Sequence, residues 1–94
     1  MMLITLIRTD AHGRNRLVTI TDRQLFLFSE HAFTVVSDTG RESVYSFDRR
    51  SDLDAALRKA ITDRTRRGYR VLYSYFRANE YPDLRPVLRK AAVS

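Results

Sequence analysis

Cysteine and tryptophan are absent from this 94-residue chain, and glycine, proline and lysine are scarce. Without cysteine there are no disulfide bonds and no thiolate chemistry, which is typical of a reducing compartment, so we expect a cytoplasmic protein. The apolar run that ends at Arg8 is too short for a signal-peptide core and too short to cross a bilayer. We therefore expect no membrane association.

Positive charge is abundant: the chain has 17 basic and 11 acidic residues and a net charge of +6. All basic residues except Lys59 and Lys90 are arginine. Guanidinium groups suit the recognition of phosphate or carboxylate. A GC-rich bacterial genome would also replace lysine by arginine without any functional reason, and the composition alone leaves both explanations open.

Residues 51–68 contain the signals of one amphipathic helix. Ser51 is suited to the N-cap, and Asp52 and Asp54 place negative charge in the first turn, where the helix dipole favours it. Basic residues fill the last turn, and Gly68 is suited to the left-handed residue that follows a helix. A narrow apolar stripe recurs at three- and four-residue spacing: Leu53, Ala56, Leu57, Ala60 and Ile61. Such a helix needs a sheet to cover.

Alternating apolar residues predict short antiparallel strands before and after this helix. After the helix, the pattern predicts a strand over 69–76, with Tyr69, Val71, Tyr73 and Tyr75 on one side. The strand candidates before the helix are 3–8, 16–21, 25–28, 32–36 and 43–47.

A short second helix is predicted from Pro82 to about Ala91, burying Leu84, Val87 and Leu88. The strands come mostly first and the helices later, which is typical of the α+β class. We expect one domain over residues 1–94, in which a small antiparallel sheet of four to five strands packs against one long helix, with a short C-terminal helix.

Catalytic, metal-binding and cofactor motifs are not recognisable. Asp52 and Asp54 are explained by the helix dipole better than by acid–base chemistry. His31 lies near Ser29 without an orienting carboxylate at a suitable place, and His12 is not at ligand spacing from it. Glycine-rich phosphate loops are also missing. We expect a protein without enzymatic activity, metal or cofactor.

The order of elements resembles the WGR domain family, in which a strand-rich half precedes a helix that ends in basic residues and a Gly-Tyr pair, here Gly68-Tyr69. With Phe47 at the family's aromatic position before the helix, the Trp-Gly-Arg triplet falls on Phe33, Thr34 and Val35. A family glycine falls on Gly40, and another falls on Ser37. The resemblance covers residues 3–75 and leaves 79–91 as a separate helical tail.

The resemblance implies a role in binding nucleic acid ends, where the family's Trp and Arg make contact. Here the Arg position is Val35, so binding through that contact does not carry over. We expect weak binding of DNA or RNA through backbone phosphates. The candidate residues are Phe33, Arg14, Arg16, Arg41, Arg64, Arg66, Arg67 and Arg70. The sequence does not show whether these arginines converge. The alternative is a protein-interaction or homodimerisation module that uses residues 70–90.

Overall fold

The computed structural model describes residues 1–22, 31–77 and 79–92. The strand predicted over 25–28 lies outside the described residues. Within them the chain forms, in order, β1 (Leu3–Thr9), β2 (Asn15–Thr21), β3 (Ala32–Ser37), β4 (Glu42–Ser46), α1 (Arg50–Arg66), β5 (Arg70–Tyr75) and α2 (Leu84–Ala91).

The five strands make one antiparallel sheet with the order β4-β3-β2-β1-β5. The chain runs through the first four strands, and α1 then crosses the sheet from β4 at one edge to β5 at the other. β1 lies between β2 and β5, so both of its backbone edges are paired. The predicted α+β class is confirmed.

The core lies between one face of the sheet and the two helices. Ile4 and Leu6 of β1 face α1 and are fully buried, and their partners Ile20 and Val18 on β2 continue the same layer. The helix contributes the predicted stripe, of which Leu53, Leu57 and Ile61 are buried, while Ala56 and Ala60 are partly buried against the cluster. Each large side chain buried in this way contributes about 1.5–3 kcal/mol.

The start of α1 differs from the sequence prediction. Arg49 is the N-cap residue, its side chain makes no capping hydrogen bond, and Ser51 lies exposed inside the first turn. Within the helix, Arg50 Nε donates to Asp54 Oδ1 at 3.0 Å, one turn further on. The predicted Ser51 cap is therefore wrong.

The end of α1 agrees with the prediction. Gly68 has φ +97°, in the left-handed region. Its N–H donates to the Thr65 carbonyl at 3.1 Å, and the Tyr69 N–H donates to the Arg64 carbonyl at 3.0 Å. These two bonds define a Schellman motif, so the last carbonyls of the helix are satisfied by its own exit turn.

The predicted side-chain pattern of β5 is wrong in one respect. The register with β1 shifts between Thr5 and Leu6, so Val71 pairs with Leu6 whereas Tyr73 pairs with Thr5. The extra residue of this β-bulge reverses the alternation. Val71 therefore enters the core, while Tyr73 lies on the opposite face of the sheet and is about half exposed (51%).

The tail helix α2 packs its apolar side into the same core. Leu84, Leu88 and Ala91 are buried, and Val87 is partly buried. Just past the helix, Ala92 forms an isolated parallel bridge with Val71. The tail thus completes the domain and covers the outer side of β5 at this point.

Candidate nucleic-acid interface

Antiparallel topology brings several chain segments to one end of the sheet. The β1–β2 loop (10–14), the β3–β4 loop (38–41), the C-terminal turn of α1 and the first residue of β5 all lie there. We call this region the arginine end. Its members are Arg8, Arg14, Arg16, Arg41, Arg64, Arg66, Arg67 and Arg70. Every arginine in the predicted set therefore comes to one end of the molecule.

Backbone pairing fixes the relative positions of these segments. Arg8 and Arg16 face one another across β1 and β2, and Arg70 pairs with Ile7 on the other side of β1. The β3–β4 loop is tied to β2 where the Asp38 N–H donates to the carbonyl of Leu17 at 3.0 Å. The strand ladder thus positions Arg8, Arg16 and Arg70, whereas Arg14 and Arg41 lie on the two loops beside it.

Arg8 joins the sheet to the end of α1. Its guanidinium carbon lies 5.1 Å from the centroid of the Tyr69 ring, and its Nη1 donates to the Arg67 carbonyl at 3.5 Å. Its Nε is buried without a hydrogen-bond partner. Arg8 was not among the predicted site residues, although its position after Ile4 and Leu6 on the same face of β1 was a usable signal.

Two more arginines have partners within the arginine end. Arg16 Nε lies 3.8 Å from Asp10 Oδ2, and Arg64 Nη1 donates to the Ala60 carbonyl at 3.0 Å. The backbone N–H of Arg14 is the main cause that lowers the pKa of Asp10, and the His12 N–H and the Arg16 charge act in the same direction. Asp10 therefore organises its own loop and stays ionised at neutral pH.

The remaining five arginines of this end are exposed, and their guanidinium groups form no ion pair or hydrogen bond with the described part of the chain. They are Arg14, Arg41, Arg66, Arg67 and Arg70. Such groups are free to bind an external anion, and their planar donors fit a phosphate in bidentate fashion.

A cleft of about 380 Å³ opens between the end of α1, the start of β5 and the end of α2. Three cationic side chains line it, Arg66, Arg70 and Lys90, together with the hydroxyl-bearing residues Thr62 and Thr65. Lys90 was not among the predicted site residues, because its approach to Arg66 depends on how α2 docks. Cations and hydroxyls around one cleft can bind an oxyanion.

Phe33 lies apart from the arginines. It is buried (2% exposed) and stacks on Tyr45 and Phe47, with ring centroids 5.2 and 6.0 Å away. Its position near the start of β3 places it towards the other end of the sheet. The ring is a core residue in this structure, whereas Tyr45 beside it is 44% exposed.

The opposite end of the molecule, which we call the carboxylate end, holds a network of paired charges. Asp22 accepts from the Met2 N–H at 2.7 Å and from the Tyr81 hydroxyl at 2.8 Å. The guanidinium of Arg50 lies 4.4 Å from the centroid of the Tyr81 ring, binds Asp54 and donates to the Glu80 carbonyl.

Two pKa values reflect this network. Burial, and then the hydrogen bond to Asp22, raises the pKa of Tyr81 well above its ordinary value. The N-terminal ammonium, 2.6 Å from Glu80 Oε2, is the main cause that lowers the pKa of Glu80. These groups are structural, since each is occupied by a partner within the chain.

Neither a membrane-spanning helix nor a metal-binding cluster occurs in the described ranges. Neither helix is long and apolar enough to cross a bilayer. His, Cys, Asp and Glu side chains do not come together in groups of three or more there. The chain matches no family model, no curated protein and no solved structure.

Proposed function

We propose that this protein binds nucleic acid weakly through backbone phosphates, and that the arginine end is the contact surface. The observation that carries the proposal is the set of five exposed guanidinium groups at one end of the fold without partners in the described chain. Like charges held together repel one another, and a polyanion relieves that repulsion while it releases its own counterions.

The proposed contact is largely indifferent to base sequence. Neither α1 nor α2 contains an asparagine or a glutamine, the side chains that pair with adenine in the major groove. Phosphate contacts position a duplex or a single strand without reading bases. A net charge of +6 supports only a few such contacts, which makes the binding weak.

The resemblance to WGR domains supports nucleic acid as the ligand. The contact surface proposed here differs from that of the family. In that family the contact would fall on the segment aligned with Phe33 and Val35. Both side chains are buried here, so a WGR-like function in this chain would have to use the arginines instead. We therefore propose the arginine end, without Phe33, as the interface.

A titration with labelled duplex and single-stranded DNA and RNA at about 50 and 200 mM salt tests the proposal. Affinity should fall steeply with salt. Arg66→Ala combined with Arg67→Ala should weaken binding and flatten the log–log salt slope, because fewer phosphates are neutralised. The matched control is Arg49→Ala with Arg77→Ala, which removes the same charge from exposed positions away from the arginine end.

Two outcomes would contradict this proposal. The first is the absence of any binding near the lower salt concentration. The second is an equal loss of affinity in both double variants, which would mean that only the net charge matters and that no interface exists.

The second candidate function is a protein-interaction module that uses residues 70–90. Tyr73 and Tyr75 of β5 are each 51% exposed, which favours a contact at this strand. The apolar side of α2, in contrast, is already covered by the domain's own core. Sedimentation without nucleic acid, compared between the wild type and Tyr73→Ser with Tyr75→Ser, tests this alternative. A mass that stays monomeric at high concentration would contradict self-association through β5.

A further inference from the structure

β4 forms one edge of the sheet. Among the described residues its only strand neighbour is β3, and its residues Val44 and Tyr45 are 49% and 44% exposed. Edge strands in soluble proteins are commonly protected by proline, lysine, a bulge or a covering segment. β5 at the other edge has a bulge and the bridge to Ala92. The Glu42–Ser46 strand contains neither proline nor lysine, and its pairing with β3 is regular.

The hydrogen bonds to β3 show which backbone groups of β4 face away from β3. The Ser37 N–H donates to the Arg41 carbonyl at 2.9 Å, and the Phe47 N–H donates to the His31 carbonyl at 2.7 Å. In an antiparallel ladder, alternate residues bond to the same neighbour. Odd-numbered residues of this segment therefore face β3. The N–H and C=O groups that face outward are those of Glu42, Val44 and Ser46.

We propose that the occupant of this edge is β4 of a second copy, paired antiparallel about a two-fold axis at Val44. In this register Val44 exchanges both backbone bonds with its own copy, and Glu42 does so with Ser46 of the second copy, on each side of the axis. All three outward donors and all three outward acceptors of each strand are then satisfied. Isologous pairing of this kind is the usual route to a dimer.

The sequence of the strand favours this register over its neighbours. A slip of two residues in either direction leaves four backbone bonds in place of six, and in one direction it sets Glu42 opposite Asp48. In the proposed register no like charges are opposed, and the two Val44 side chains meet on the axis. Arg41 comes opposite Phe47 of the second copy, beside the carboxylate of its Asp48.

The dimer is a weak one. A five-residue edge buries less than the about 1,200–2,000 Å² of a standard stable interface. Association should therefore become visible only at high protein concentration. The two sheets would continue into one another with their helices on the same side, and the two arginine ends would lie apart.

Cross-linking tests the contact directly, because the chain has no cysteine of its own. Paired residues that exchange backbone bonds have Cα atoms about 5.5 Å apart, which suits a disulfide. Val44→Cys should give a covalent dimer under mild oxidation. Tyr73→Cys, at a similarly exposed site on β5, is the control and should remain largely monomeric. A covalent dimer of Tyr73→Cys together with a monomeric Val44→Cys would overturn the proposal in favour of association through β5.

A charge pair at one position tests the register without changing the fold, because Ser46 is exposed. Ser46→Lys places a cation opposite Glu42 of the second copy and should favour the dimer, whereas Ser46→Glu opposes two carboxylates and should disfavour it. Across both sides of the axis we expect a difference of about tenfold in the dimer dissociation constant between the two variants. Sedimentation should show a mass above 11.0 kDa rising towards twice that value. Equal constants for the two variants, or a monomer at every concentration for Ser46→Lys, would overturn the proposal.

Discussion

At the arginine end five exposed guanidinium groups have no partner in the described chain, whereas at the carboxylate end Arg50 binds Asp54 and the N-terminal ammonium binds Glu80. Arg66 and Arg70 line an open cleft. Arg50, in contrast, is held by Asp54, the Tyr81 ring and the Glu80 carbonyl. The same residue type thus serves as a structural anchor at one end and as a free donor at the other. Composition alone does not distinguish the two uses.

The two ends also differ in what holds them in shape. The carboxylate end depends on side chains, above all on Asp22, which accepts from the Met2 N–H and the Tyr81 hydroxyl. The arginine end depends more on backbone geometry, including the Schellman motif at Gly68 and the ladder between β1 and β2. Replacing the exposed arginines of this end should therefore leave the stability unchanged, whereas replacing Gly68 in the Schellman motif should lower it.

The largest effect is expected for Gly68→Val. At φ +97° a β-branched residue is strained, and the added Cβ would lie 3.6 Å from Cδ of Arg8. We expect a loss of about 1–3 kcal/mol in the free energy of unfolding, measured by chemical denaturation. Gly68→Asn is the control and should lose less, because asparagine tolerates the left-handed conformation. Equal stability of the valine variant would contradict the view that backbone geometry holds this end.

A smaller effect is expected for Tyr81→Phe at the carboxylate end. The variant loses the hydrogen bond to Asp22, so its free energy of unfolding at neutral pH should be lower by about 1–2 kcal/mol. Chemical denaturation measures the difference. Asp22 keeps the Met2 N–H as a donor, which limits the loss.

The pH dependence of the same variant follows from the raised pKa of Tyr81. A phenol whose folded pKa exceeds its unfolded pKa contributes stability that is fully present below about pH 10 and declines above it. The difference between wild type and Tyr81→Phe should therefore narrow above about pH 10. A difference that stays constant or widens with alkali would show that Tyr81 does not act through this hydrogen bond.

The smallest effect on stability is expected for Arg66→Ala with Arg67→Ala. Neither side chain has a partner in the described chain, so the free energy of unfolding should change by no more than about 0.5 kcal/mol. Thermal or chemical denaturation checks this, and the same samples serve the nucleic-acid titration. A loss of several times that size would assign these arginines to the fold and not to an interface.

The register of β5 and the start of α1 show where sequence patterns stop being sufficient. Alternation predicted Tyr69, Val71, Tyr73 and Tyr75 on one side, but a bulge against β1 divides them between the two faces. Ser51 had the local chemistry of an N-cap, yet the helix begins at Arg50. For β5, pairing with the distant strand β1 outweighed the local alternation.

The sequence by itself determined the elements whose causes are local. The apolar stripe of α1 spans Leu53 to Ile61 at helical spacing, and the exit of the helix at Gly68 depends on residues within two turns. The strands β1 to β4 followed from alternation and from the turns between them, because the side-chain period of a strand is a local property. The sequence also placed the arginines next to turns and helix ends.

Only the tertiary structure decided how those elements meet. Antiparallel pairing brings the two loops and the end of α1 to one side of the sheet, and so gathers arginines that are up to 62 residues apart in the chain, from Arg8 to Arg70. The docking of α2 brings Lys90 to the cleft. The pairing of β3 with β4 places Phe33 against Tyr45, and Phe33 also stacks on Phe47. The physical reason is that contacts between distant segments depend on strand order and helix docking, which are settled by burial of the whole core and not by any one stretch of the chain.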